Sequence, residues 1–266
     1  MSGAEMSGDD GTLPILAVEG FKATIRLNRP KQHNRLEAAD LAALERLLAG
    51  LEQRDDLRVL ILTGTGRSFC SGYHIGSIGK AKAPGSQSAS DGAFERVTDQ
   101  VENFRLPTIC ALNGGVYGGA TDLALACDFR IGVAGSQMFM PAARLGIHYY
   151  RGGLRRYVTR LGLGAAKKLF LTAQTIDADE MRRIGYLDEV VPAAELAARV
   201  AALAEQIGAL APLAVTGMKR ALNQIAAGTL DLAALQAASA ACMASADLQE
   251  GLAAFAEKRR PVFHGD

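Results

Sequence analysis

A change of period constrains this chain more than any other feature. Through about residue 190 the apolar residues come in short strand-like runs closed by glycine or proline; from about residue 193 they recur at helical spacing in an alanine-rich background. Phe21, Ala23, Ile25 and Leu27 alternate with Lys22, Thr24 and Arg26, the period-2 pattern of a half-buried strand. Residues 13–18, before Gly20, are its candidate hairpin partner, and Pro30 ends it. Leu41, Leu44, Leu48 and Leu51 predict a helix, and residues 58–62, branched and stopped by Gly64 and Gly66, a buried strand. Thr108–Leu112 leads through glycine-rich residues into a helix at 120–127, and Phe129–Val133 follows as another strand. Strands alternating with helices predict α/β architecture.

The later segment reads differently. Leu196, Val200, Leu203 and Ile207, then Leu213, Met218 and Leu222, then residues 230–255 are helical and rich in alanine. Narrow alanine surfaces suit subunit contacts, although alanine is also the best helix former. The chain thus divides into a disordered N-terminus at 1–12, a core at 13–195 and a helical oligomerisation region at 196–266. Residues 79–92, small and without period, read as a mobile loop or lid margin.

Charge and cysteine content narrow the function classes. Twenty-nine Lys and Arg against 28 Asp and Glu leave +1 over 266 residues, too even a balance to steer the chain onto nucleic acid or an anionic membrane. No uncharged apolar stretch reaches 18 residues, and residues 1–12 lack the basic-then-apolar order of a secretory signal. Cys70, Cys110, Cys127 and Cys242 form no C-x-x-C pair and His33, His74, His148 and His264 have no ligand spacing, so no metal is expected and the thiols read as reduced, in a cytoplasmic protein.

Two glycine-containing turns follow buried strands, where backbone N–H groups can be left facing a ligand. The first is Gly66-Arg67-Ser68-Phe69-Cys70-Ser71-Gly72-Tyr73-His74; the second runs from Asn113-Gly114 through Tyr117-Gly118-Gly119 to Asp122 and opens a helix. Either could instead be a tight turn with no ligand. They do not spell a phosphate loop, a dinucleotide motif or a serine-hydrolase elbow.

Taken together, five segments in order resemble the crotonase, or enoyl-CoA hydratase/isomerase, superfamily: Leu27-Asn28-Arg29-Pro30-Lys31-Gln32-His33-Asn34; Arg67 to Gly72; Asn113 through Gly119 to Asp122; Cys127-Asp128; and Phe255-Ala256-Glu257-Lys258-Arg259. The resemblance implies a crotonase-like spiral of repeated β-β-α units with a C-terminal helical trimerisation region, assembled as a homotrimer or a hexamer of paired trimers. It implies an acyl-CoA substrate, with coenzyme A as part of the thioester and no permanently bound cofactor. The carbonyl oxygen would be held by the amides of Tyr73 and Gly119, with Ser71, His74, Ile75 and Tyr117 around the thioester and Lys31, Arg35 and Lys258 toward the CoA phosphates.

Hydratases of this superfamily use two glutamates. The first aligns with Asp122, one methylene shorter, and the second with Ala142, which can neither give nor take a proton. Beyond it lie His148, Tyr149, Tyr150 and Arg151, where Tyr149 matches the pocket tyrosine of a methylmalonyl-CoA decarboxylase and could serve as an acid or simply fill space. The expectation is hydratase/isomerase chemistry (a lyase of fatty acid metabolism) with Asp122 as the one catalytic carboxylate, and catalytic roles for Tyr73, Gly119 and Tyr149. Decarboxylation or thioester hydrolysis with the same oxyanion hole, and acyl-CoA binding without catalysis, are the alternatives.

Overall fold

A computed structural model describes residues 12–73 and 92–266. The chain starts with an antiparallel hairpin of β1 (Ile15–Glu19) and β2 (Lys22–Leu27), in which Ala23, Ile25 and Leu27 are buried and their alternating neighbours are not. A short 3-10 turn at Pro30–Gln32 leads to α1 (Ala38–Glu52), whose N-terminus is closed by a capping box between Glu37 and Asp40. Each following turn of chain adds one strand to a large sheet and one to a small sheet. β3 (Val59–Gly64) is followed by β4 (Ser68–Cys70) and α2 (Ala93–Glu102); β5 (Thr108–Leu112) by β6 (Gly115–Tyr117) and α3 (Ala120–Ala126); β7 (Phe129–Val133) by β8 (Gln137–Phe139) and α4 (Arg151–Thr172), which is interrupted at Gly162. β9 (Thr175–Asp177), α5 (Ala178–Arg183) and β10 (Glu189–Val191) complete the sheets, and α6 (Leu196–Gly208), α7 (Pro212–Ala227), α8 (Leu232–Ala244) and α9 (Ala246–Glu257) follow.

The large sheet runs β1-β2-β3-β5-β7-β10, parallel after the first hairpin, and the small one β4-β6-β8-β9, parallel except for its last pair. Every residue of β3 is buried because both faces are covered. Leu60 and Leu62 join the main core with Leu44, Leu48 and Val101, whereas Val59 and Ile61 meet Val200, Ala204 and Ile207 of α6 on the other face. The first helix of the alanine-rich segment is therefore a layer of the sheet structure, while Leu222 of α7, Met243 of α8 and Phe255 of α9 are exposed. Residues 230–255, one helical run in the sequence, break at Ser245, whose hydroxyl caps α9 by accepting from the Leu248 N–H at 3.1 Å. All four cysteines are free.

Candidate active site

The two glycine turns meet at the ends of β4 and β6. Asn34 fixes the first one: its buried amide donates to the carbonyls of Thr65, Ser68 and Phe69 at 2.8–3.1 Å, tying the turn after β2 onto β4. The next residues are clamped to the same turn. The Ser71 N–H donates to the His33 carbonyl at 2.8 Å, the Ser71 hydroxyl to that of Gln32 at 3.2 Å, and the Leu36 N–H to the Gly72 carbonyl at 2.9 Å. Gly72 has φ +93°, and a Cβ on it would lie 2.7 Å from the Tyr117 carbonyl and 3.2 Å from the Gly119 nitrogen. Only glycine permits this approach.

In the second turn the N–H groups of Gly118, Asp122 and Leu123 donate to Phe139 and Gly119 carbonyls, but those of Tyr73 and Gly119 meet no acceptor among the described residues. Both residues line a cleft of about 670 Å³, within the range of small-molecule sites. Its walls include Ser71, Tyr117, Phe94 and Glu95 of α2, Met140 and Ala142, and the run Ile147 to Tyr150. A second concavity, about 560 Å³ between the end of α2 and helices α7 and α8, has neither glycine turn in its lining.

Behind the cleft lies a closed charge cluster. Arg156 of α4, wholly buried, donates to both oxygens of Asp122 at 2.9 Å, to Asp99 at 2.6 Å and to Glu102 at 2.9 Å. Glu102 also pairs with Arg155 and Arg160, so three carboxylates face three guanidinium groups. Burial alone would raise Glu102, but Arg155, Arg156 and Arg160 outweigh it and hold its carboxyl below the ordinary range. The same competition favours Arg156, whose loss of solvent is more than offset by Asp122.

Asp122, expected to face the substrate, is therefore placed elsewhere: it is 0% exposed and absent from the cleft lining. The short helix α3 is buried along its whole length, and a carboxylate there must be paired. Its link to the cleft is Tyr150, whose hydroxyl donates to Asp122 while its ring lines the wall. Burial and the Asp122 charge push that phenol far above its ordinary value, so it stays protonated. Tyr149 also lines the cleft, but its hydroxyl is buried without a hydrogen-bond partner among the described residues, and its ring stacks on Tyr150 at 4.6 Å. That packing needs Gly153, where a Cβ would fall 2.2 Å from the Tyr149 ring.

Of the other sequence candidates, Lys31 and Arg35 stand on the turn that clamps Ser71 but do not line the cleft, and Arg35 pairs with Glu37 at 2.7 Å. Lys258 is exposed at the end of α9, and nothing in the single chain brings it to the cleft. His74, Ile75 and residues 79–91 of the proposed lid margin lie outside the described residues. No group of three or more His, Cys, Asp or Glu side chains that could hold a metal occurs among the described residues.

The Enoyl-CoA hydratase/isomerase family profile matches residues 21–266. The chain belongs to this family. It is 34% identical to a short-chain-enoyl-CoA hydratase of Clostridium acetobutylicum over 250 residues, covering 92% of this chain and 95% of that protein. It is 35% identical to a crotonyl-CoA hydratase of Syntrophomonas wolfei over 253 residues, covering 94% and 96%. The enoyl-CoA hydratase from Bacillus anthracis superposes with a TM-score of 0.86 at 31% identity, covering 96% of this chain and all of that one. The protein is an acyl-CoA enzyme with the crotonase fold, and these matches do not favour decarboxylation, thioester hydrolysis or binding without catalysis. Two members of the site, Arg156 and Glu95, escaped the sequence reading. Arg156 could have been found from its place between Gly153 and Tyr157 on the inner face of α4.

Proposed function

We propose that the cleft binds an acyl-CoA thioester with its carbonyl oxygen between the Tyr73 and Gly119 amides, and that the reaction is hydration or double-bond migration of an enoyl group through an enolate. The observation that carries this reading is the approach of the two glycine turns, with two unengaged N–H groups opening onto one cleft. Fixed donors act where negative charge develops, and loss of one such donor costs about 3–4 kcal/mol of transition-state stabilisation in enzymes that use them. The mostly apolar lining screens those dipoles less than bulk water would. Asp122 serves at one remove, holding Tyr150 against the wall, and Ala142 leaves apolar surface where the resemblance implies a glutamate. Lys31 and Arg35, on the turn that clamps Ser71, are the candidates for the CoA phosphates.

The exposed apolar residues Met218, Leu222, Ile225, Met243 and Phe255 support an assembly through α7–α9. Among the described residues no single helix is long and apolar enough to cross a membrane, and four unbridged thiols favour a reducing compartment such as the cytoplasm. The test is incubation with crotonyl-CoA, a 3-enoyl-CoA and saturated acyl-CoA in D2O, read by mass. Hydration, bond migration or deuterium uptake at the α-carbon is expected; an enzyme that neither binds nor alters any of them sinks the reading.

A further inference from the structure

We propose that Glu95, on the first turn of α2, is the proton-carrying carboxylate of this enzyme, taking the role that neither Ala142 nor Asp122 can fill. The inference rests on the enolate reading above and names the base that reading requires. Among the titratable side chains that line the cleft in the described residues, Glu95 is the one carboxylate. It is half-buried, and it forms no hydrogen bond or ion pair among the described residues. Its neighbour Phe94 ties this turn of α2 to the oxyanion site: a Cβ on Gly119 would come within 2.9 Å of the Phe94 ring. The same ring lies 6.3 Å from those of Tyr73 and Tyr150. On its other side, Glu95 Oε1 and Arg156 Nη2 are 3.5 and 3.4 Å from the point a Gly152 Cβ would occupy, and that Arg156 nitrogen is 3.4 Å from the Tyr150 hydroxyl. The carboxylate thus sits at the edge of the buried cluster without being one of its ion-paired members.

The groups around Glu95 are Asp99 one turn along α2, Arg156 of α4 and the Tyr150 hydroxyl just ahead of that helix, with Tyr73 and His148 elsewhere in the cleft lining. Asp99 is already paired to Arg156, and Tyr150 is held protonated by Asp122. Of these carboxylates, Glu95 is the one left with unengaged oxygens on the cleft.

In double-bond migration, a Glu95 oxygen takes the proton from the α-carbon. The C–H electron pair forms the new bond to the carbonyl carbon, and the carbonyl π pair moves onto oxygen, under the Tyr73 and Gly119 amides. Collapse of this enolate shifts the double bond as the same proton returns at the γ-carbon. In hydration, Glu95 accepts the proton of the water whose oxygen bonds to the β-carbon, and that proton is then delivered to the α-carbon. One carboxylate closes either balance with no other reactant.

Glu95→Gln keeps shape and removes the base. It is expected to lower kcat by about 100- to 10,000-fold with KM within a few-fold of the wild type, to abolish the acidic limb of the kcat profile, and to stop deuterium uptake at the α-carbon. Glu95→Asp should recover part of the rate and the acidic limb, which a merely structural role would not do. A Glu95→Gln enzyme that turns over within about threefold of wild type, or loses only KM, overturns the assignment while leaving the enolate reading intact. A wild-type enzyme inert toward the whole panel overturns both.

Discussion

Asp122 on α3 and Glu95 on α2 stand on packed helices on either side of Arg156, yet their charges meet opposite surroundings. Asp122 has lost all contact with solvent and is held by a bidentate guanidinium and a phenol. Glu95 faces the cleft with no partner among the described residues. An isolated carboxylate moved out of water costs several kcal/mol, so the buried one persists only because its partners offset that cost. The carboxylate at the cleft wall keeps solvent within reach and carries no such ties among the described residues. The difference between a charge that holds the site and a charge that works in it is then a matter of partners, and each variant below acts on one side of it.

The largest effect should come from Arg156→Ala, which strands Asp122 and part of the Glu102 charge behind the cleft. Removing one partner of a buried network typically costs about 3–5 kcal/mol, which equilibrium urea unfolding would register as a lower midpoint. A loss under about 1 kcal/mol would mean that these two carboxylates rearrange to find solvent, and that the cluster does not hold α2, α3 and α4 together.

Next come Asp122→Asn and Tyr150→Phe, taken singly and together. The bond between them is charge-assisted and partly buried, for which about 1.5–3 kcal/mol is usual, and the cycle should show a coupling of that order in stability. Both variants should slow turnover less than Glu95→Gln does. If Asp122→Asn proves the more damaging to kcat while the fold is unchanged, the assignment of roles between the two carboxylates is reversed.

What the sequence made legible follows the same line between local and assembled features. The long strands β2, β3, β5 and β7 and helix α1 carry enough residues to show a period, and the two glycine turns are read from composition and order alone. Strands β4, β6, β8, β9 and β10 have three residues each, too few for any period, and they were missed although the first four make up the small sheet on which both turns depend. Helix α4 was missed because Gly152, Gly153, Gly162 and Gly164 dilute its pattern. The charged residues of the site failed for another reason. Glu95, Asp99, Glu102 and Arg156 look like the solvated faces of two amphipathic helices, and the pairing that buries Arg156 among them is made by α2, α3 and α4 arriving from separate parts of the chain.

Acid should separate the cluster from the surface. Glu102 titrates below its unfolded value, near 4.3 for a free glutamate, so its contribution is present above that value and is lost as pH falls through the lower folded one. Stability measured from pH 7 down to pH 3 should therefore fall below about pH 4, and Glu102→Gln, already less stable at pH 7, should show a flatter acid limb. A variant with the wild-type slope would place the acid sensitivity elsewhere.

The smallest effect is expected at Glu250, which tests whether pairing alone is enough. This carboxylate meets Arg259 through two contacts at 2.5 and 2.7 Å, accepts from the Val262 N–H at 2.8 Å, and is held at about 2 by Arg259 first of all. By contact geometry it matches Asp122. It differs in lying at the surface, where water and salt screen the pair and the side chains lose entropy on meeting. Glu250→Gln should accordingly leave the urea midpoint close to wild type at 0.15 M salt, and whatever shift appears should vanish at 1 M, while the Arg156→Ala deficit persists at both. A Glu250→Gln loss that matches Arg156→Ala and resists salt would mean that the number of hydrogen bonds, and not burial, sets what a carboxylate contributes here, and the contrast between Asp122 and Glu95 would then need another cause.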